Sequence, residues 1–157
     1  MAETPALNVL AEDHRELDAR IERLLARVRD GDPTELRPEW STFERALSRH
    51  LEQEEAELLP GFARDDAPGA RAILAEHAEI RGALLDMGVN LDLHLLRAEQ
   101  VERFVERLRA HAKREEAALY TWAERHIAPR GWQAIKRSLQ DAAHGTRPGA
   151  WLSGRMM

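Results

Sequence analysis

His50-Leu51-Glu52-Gln53-Glu54-Glu55-Ala56-Glu57-Leu58-Leu59 returns later in the chain as His111-Ala112-Lys113-Arg114-Glu115-Glu116-Ala117-Ala118-Leu119-Tyr120. Ahead of each copy stands a shorter echo: Leu10-Ala11-Glu12-Asp13-His14-Arg15-Glu16-Leu17 and then Leu74-Ala75-Glu76-His77-Ala78-Glu79-Ile80. The separation is 36 residues from His14 to His50 and 34 from His77 to His111. One helical hairpin has therefore been used twice, which predicts an all-α bundle with approximate two-fold symmetry.

Apolar residues recur at three- and four-residue intervals on both sides of these stretches, the mark of helices with one buried stripe. Leu7, Leu10, Leu17, Ile21, Leu25 and Val28 outline a first helix, ended by Gly31-Asp32-Pro33, a stop glycine followed by a helix-breaking proline. Trp40, Phe43, Leu47, Leu51 and Leu58 outline a second, running to a loop at Arg64-Asp65-Asp66-Ala67-Pro68-Gly69. Ile73, Leu74, Ile80, Leu84 and Leu85 outline a third, which loosens between Asn90 and His94. Val101, Phe104, Leu108, Leu119 and Trp122 outline a fourth, ending near Pro129-Arg130-Gly131. Trp132, Ile135 and Leu139 suit a short fifth helix packed across the bundle. Residues 1–144 are thus expected to form one domain, and residues 145–157, rich in Gly, Pro and Arg, a mobile tail.

At ~100° per residue, a His and a Glu four apart leave one helix face. His50 with Glu54, and His111 with Glu115, fall on the apolar stripes, as do His14 and His77. Their heights agree as well. In an antiparallel hairpin, residues equidistant from the turn lie side by side. The midpoint of His14 and His50 is Asp32, that of His50 and His77 lies between Ala63 and Arg64, and that of His77 and His111 is His94. Four imidazoles and two carboxylates are expected at one level of the core. A lone inward histidine is more often a hydrogen-bonded core residue than a ligand. The doubled pattern at matching height favours coordination, because buried carboxylates must be protonated, ion-paired or metal-bound. The all-N/O donor set suits iron, manganese or zinc, and Glu54 and Glu115, from opposite halves, are placed to bridge two ions.

Neighbouring polar residues divide. Glu57 falls inward one turn beyond Glu54 and is open between an additional ligand and a partly hydrated group beside the site. Asp18 is expected to pair with Arg81 across the bundle rather than to ligate. Tyr120 falls on the face opposite His111 and is not expected at the metal. His94 and His126 lie far along their helices at ~1.5 Å per residue, where surface roles are expected, and His144 has no partner pattern.

Composition excludes several chemistries. The 157 residues suit one domain. A net charge of −5 gives no basic field for nucleic acid or an anionic membrane. The absence of cysteine removes thiolate catalysis, iron–sulfur clusters and Cys-ligated zinc. No apolar run approaches the ~20 residues of a membrane span. The first residues lack a secretory profile, so a cytoplasmic location is the expectation. No glycine-rich phosphate loop or activated nucleophile pattern is present.

The order His14, His50-x-x-x-Glu54, His77, His111-x-x-x-Glu115 resembles that of the haemerythrin-like, or HHE cation-binding, family over about residues 7 to 128. The resemblance implies an up-down-up-down four-helix bundle around an oxygen-bridged di-iron pair spanned by Glu54 and Glu115. One iron would take His14 and His50, the other His77 and His111. Reversible oxygen carriers of the family have a further His on the third helix, where this chain has Ile73, and a His-x-x-x-x-Asp spacing on the fourth, where it has His111-x-x-x-Glu115. Five ligands per iron would leave both ions an open position. The implied function is binding or reaction of oxygen, peroxide or nitric oxide, as in the repair-of-iron-centres proteins and peroxide-handling haemerythrin-like proteins that the motif order is similar to. The cysteine-bearing extra domain found in many of the former is not expected, since these 157 residues contain no cysteine. A carrier, sensor or store that does not turn over is the second reading. Its support is an apolar lining from Phe43, Leu47, Phe104, Leu108 and Trp122. Ferritin-type storage is disfavoured because the chain has no Glu-x-x-His pair. A third reading is a helical interaction module in which Trp151-Leu152-Ser153-Gly154-Arg155 docks to a partner.

Overall fold

The computed structural model describes residues 5–31 and 33–143. His144 and the 145–157 tail lie outside them, as does Asp32, the first midpoint. The described residues are helical apart from short connections, with no strand among them. In order come α1 (Pro5–Asp30), α2 (Pro33–Gln53), a π-helical turn (Glu54–Leu58), α3 (Leu59–Asp65), α4 (Ala67–Asp92), α5 (Ala98–Ala117), α6 (Leu119–His126) and α7 (Pro129–Ala143). No helix among the described residues is long and apolar enough to cross a membrane.

The connections follow local chemistry. Gly31 closes α1 at φ 71°, and its N–H donates to the Arg27 carbonyl at 3.0 Å, a glycine-dependent helix stop. The expected loop at 64–69 contracts to a single residue between helices. Asp66 caps α4, its carboxylate accepting from the Gly69 N–H at 2.9 Å, a type of cap whose loss costs ~1 kcal/mol. The chain between α4 and α5 turns at His94, at φ 59°, the midpoint expected from His77 and His111. Both His94 and His126 are exposed, as expected.

α1 packs on α2 and α5, and α4 packs on α5 and α2. α7 lies against α1 and α2, with Trp132, Ile135 and Leu139 buried. The core has two parts. One gathers Leu17, Ile21, Phe43, Leu47, Ile80 and Phe104, among others, with Phe43 and Phe104 edge to face at 6.0 Å. The other gathers Leu10, Leu58, Phe62, Ile73, Leu119 and Trp132, among others. The polar residues of interest belong to neither cluster. Leu74 and Leu85, whose spacing helps to mark the third helix, are exposed.

Candidate metal centre

Glu54 and Glu115 are fully buried, and His50, His77 and His111 are buried with them, while His14 is partly covered. Their donor atoms fall into two overlapping groups. His14, His50, Glu54 and Glu115 each offer one atom within 4.8 Å of the others, and so do Glu54, His77, His111 and Glu115. His50 Nε2 lies 3.1 Å and His77 Nε2 3.5 Å from Glu54 Oε1. Glu115 is reached by His14 Nε2 at 3.4 Å, His77 Nε2 at 3.1 Å and His111 Nε2 at 3.0 Å. The sequence-derived set of six therefore converges, and the two carboxylates are common to both groups. His14 and His50 fall in one group, and His77 and His111 in the other.

Each imidazole is held from behind. His14 Nδ1 faces Glu116 at 3.1 Å, His50 Nδ1 faces Asp13 at 2.5 Å, His77 Nδ1 faces Glu55 at 3.4 Å, and His111 Nδ1 faces Glu76 at 3.0 Å. A neutral imidazole has one N–H and one lone pair. With the proton on Nδ1 toward a carboxylate, Nε2 presents its lone pair inward, the arrangement that orients metal-binding histidines. These four acids went unread in the sequence, although a signal was there. An acid precedes His14 and His77, and a second glutamate follows Glu54 and Glu115. Arg81 pairs with Glu55 at 2.8 Å, and Arg114 pairs with Glu76.

Electrostatics follow from this crowding. Burial disfavours a charged imidazole, yet Glu54 and Asp13 outweigh it and hold His50 well above 6.5. His77 is likewise buried, but Glu115 and Glu54 raise it to about 9. Burial of His111 is outweighed by Glu115, Glu76 and Glu54, so it too is raised. Burial alone would raise the Glu115 carboxyl, but His111, His14 and His77 hold it well below 4.5. Glu55 and Glu76 are lowered against their burial by Arg81 with His77, and by Arg114 with His111. Meanwhile Glu54 Oε1 and Oε2, Glu115 Oε1 and His111 Nε2 are buried with no hydrogen-bond partner in the protein. Buried carboxylate oxygens and a ring nitrogen without protein partners fit a cation, which would displace the imidazole protons.

Four expectations are corrected, two of them by departures from the regular α-helix, one after Glu54 and one at Ala118. The Leu59 N–H donates to the Glu54 carbonyl, five residues back, so the helix widens into a π turn after Glu54. In the second copy, the helix breaks at Ala118, with φ −112° and ψ −66°. Such a turn absorbs one extra residue and takes back about one 100° step. Glu57, which an α-helix would place about 20° from His50, swings outward and is exposed; it is not at the centre. Tyr120, which an α-helix would place about 180° from His111, swings inward and is fully buried. Its hydroxyl lies 2.8 Å from His14 Nε2 and 3.2 Å from His50 Nε2. Burial, reinforced by Glu54 and Glu115, pushes its phenol well above 10. The third correction concerns Asp18, which pairs with Arg109 at 2.7 Å, while Arg81 is taken by Glu55.

Phe43, Leu47, Phe104 and Leu108 are buried on the apolar side as expected. Trp122 is not part of that wall. It packs on Phe62 at 5.8 Å and on Gly61, and its indole N–H donates to Asp65 at 2.6 Å. A cavity of about 30 Å³ adjoins the centre, bounded by His14, His50 and His111 on one side and Leu17, Leu47 and Leu108 on the other.

Residues 2–62 match the Hemerythrin HHE cation binding domain. The family resemblance is borne out over that stretch, which carries His14, His50 and Glu54, together with Asp13 behind His50 and Glu55 behind His77. The haemerythrin-type match implies a cation-binding protein, and the His/Glu cluster could hold metal. The second copy of the repeated hairpin lies outside the matched residues and completes the same cluster. No curated protein and no solved structure matches the chain.

Proposed function

We propose that this chain is a non-haem di-iron protein of haemerythrin type that binds or reacts with oxygen, peroxide or nitric oxide. The observation that carries the reading is the pair of overlapping donor groups sharing Glu54 and Glu115, of whose oxygens Glu54 Oε1, Glu54 Oε2 and Glu115 Oε1 are buried without a hydrogen-bond partner in the protein. In this reading α1, α2 with α3, α4, and α5 with α6 run up, down, up and down, and α7 covers one end. His14 and His50 would hold one ion and His77 and His111 the other, with Glu54 and Glu115 common to both. Bound there, two irons would supply one-electron redox chemistry and a coordination position for a small ligand.

The protein's own part is orientation and exclusion of water. Asp13, Glu116, Glu55 and Glu76 fix the imidazole tautomers. The cavity of about 30 Å³ exceeds the ~10–15 Å³ that one water needs, and suits a diatomic or peroxide ligand. Asp18 and Arg109, ion-paired with each other, also border it. The buried wall of Phe43, Leu47, Phe104 and Leu108 favours the second reading, a carrier, sensor or store, because it would shield a bound oxygen adduct from water.

Metal analysis and the absorption spectrum of freshly purified protein test the first step. Two irons per chain with near-ultraviolet absorption of an oxygen-bridged ferric pair are expected; a protein that takes up no iron would overturn the reading. Stopped-flow mixing with oxygen, peroxide and nitric oxide then separates the classes. Fast peroxide loss or nitrous oxide release supports turnover, and a stable reversible oxygen adduct supports carriage.

A further inference from the structure

The chain has a single tyrosine, and the break at Ala118 delivers it to one half of the centre only. We propose that Tyr120 Oη is a protein ligand of the cation position formed by His14 and His50, so that the two metal positions are chemically unlike. This rests on the two-cation reading and adds a donor that the six-residue set omits.

The spacing of the donors supports it. His14 Nε2 and His50 Nε2 are 3.1 Å apart, and Tyr120 Oη lies 2.8 Å and 3.2 Å from them. With metal–donor bonds of about 2.1 Å, adjacent ligands at right angles lie about 3.0 Å apart. The three atoms thus outline one face of an octahedral coordination shell. His50 Nε2 to Glu54 Oε1 at 3.1 Å and His14 Nε2 to Glu115 Oε1 at 3.4 Å continue the same spacing. The His77/His111 position has no counterpart, because Leu59 occupies the place in the first copy that Tyr120 occupies in the second.

In a loaded site the phenol has two courses, a hydrogen bond to the Glu54 carboxylate or ligation of the ion. Asp13 and Glu116 occupy the Nδ1 side of both imidazoles, so the only acceptors those rings offer Tyr120 are the Nε2 lone pairs used for coordination. Tyr120 is fully buried, and an unpaired hydroxyl there is costly. In ligation the phenolic O–H bond breaks, an oxygen–metal bond forms, and one proton leaves to solvent with no change in oxidation state. The His14/His50 position gains a fifth protein donor beside its two imidazoles and two carboxylates.

The test is resonance Raman and visible spectroscopy of iron-loaded, air-oxidised protein, with iron content measured on the same sample. The wild type should show a phenolate-to-iron charge-transfer band carrying tyrosine ring modes. Tyr120→Phe should lose that band completely while keeping two irons per chain. A wild type with two irons and no such band, or a band that survives in Tyr120→Phe, would overturn the proposal. Failure of the wild type to bind iron would instead overturn the two-cation reading beneath it. Zinc titration of the wild type, followed by near-ultraviolet tyrosinate absorbance, tests ligation without relying on the variant's folding. One tyrosinate per loaded chain is expected, and zinc uptake with no tyrosinate would reject ligation.

Discussion

His77 and His111 lean on Glu55 and Glu76, and each of those carboxylates is gripped by an arginine, Arg81 and Arg114 respectively. His14 and His50 lean on Glu116 and Asp13, and among the described residues neither acid pairs with an arginine. The two halves began as one hairpin, and their inward donors remain alike. They diverge one step out: Arg81 stands where the first copy has Asp18, Arg114 where it has Gln53, and Tyr120 where it has Leu59. One half is fixed by charge from outside, the other approached by a phenol from inside. The inward donors are the same in both copies, and the residues around them are not.

The largest effect should come from a residue that both halves share. Glu115→Ala should lower bound metal from two per chain to below one, as read by elemental analysis, with helical circular dichroism largely kept because the apolar clusters lie outside the centre. Two metals retained would show that Glu115 does not bridge. His50→Ala removes a donor from one half only and should spare the other ion; loss of neither would break the ligand assignment. Next in size are the supporting acids. Glu76→Gln and Asp13→Asn should each weaken metal affinity by about 10–100-fold, measured by chelator competition. Arg114→Met should act more weakly and only through His111. An equal effect on both ions would erase the distinction between the halves.

Protonation sharpens the comparison further. In chelator-stripped protein, His50, His77 and His111 have folded pKa values above 6.5, so their stabilisation is complete below 6.5 and fades as pH rises, for His77 through about 9. Glu115 acts in the opposite sense. Its folded pKa lies below 4.5, so its contribution is present above 4.5 and is lost on acidification. Thermal midpoints of stripped protein should therefore fall from pH 6.5 toward 9. Loaded protein should lose this alkaline decline, because ligation requires the histidines to shed protons.

The smallest expected effect concerns packing. A Cβ on Gly61 would sit 2.7 Å from Trp122, whereas one on Gly82 meets nothing within 4 Å. Gly61→Ala should cost about 1–3 kcal/mol, and Gly82→Ala should stabilise by about 0.5–1 kcal/mol, both measured by urea unfolding. Equal effects would show that the Trp122 contact yields easily.

Spacing along the chain was enough to find the helices and the six inward donors. A His and a Glu four apart share a face of any α-helix, and apolar neighbours say which face is buried. The turn at His94 was legible for the same reason, as the point equidistant from two residues that must meet. By contrast, Glu57 and Tyr120 were misplaced because their directions depend on helical phase beyond Glu54 and Glu115. A widened turn in the first copy and a break at Ala118 in the second shift that phase, and no residue type announces either. Asp18 was assigned the wrong arginine because ion pairing at a surface depends on side-chain reach between helices. The acids behind the histidines were written beside their partners, but which helix each would cross to was not.

By itself, then, the sequence determined a duplicated helical hairpin and the identity of the groups facing inward, since both are properties of periodicity within single helices. The tertiary structure alone decided which carboxylate supports which imidazole, which half receives the tyrosine, and which charges end on the surface. Those outcomes depend on contacts between helices and on where the backbone departs from about 3.6 residues per turn, and neither is encoded at one position.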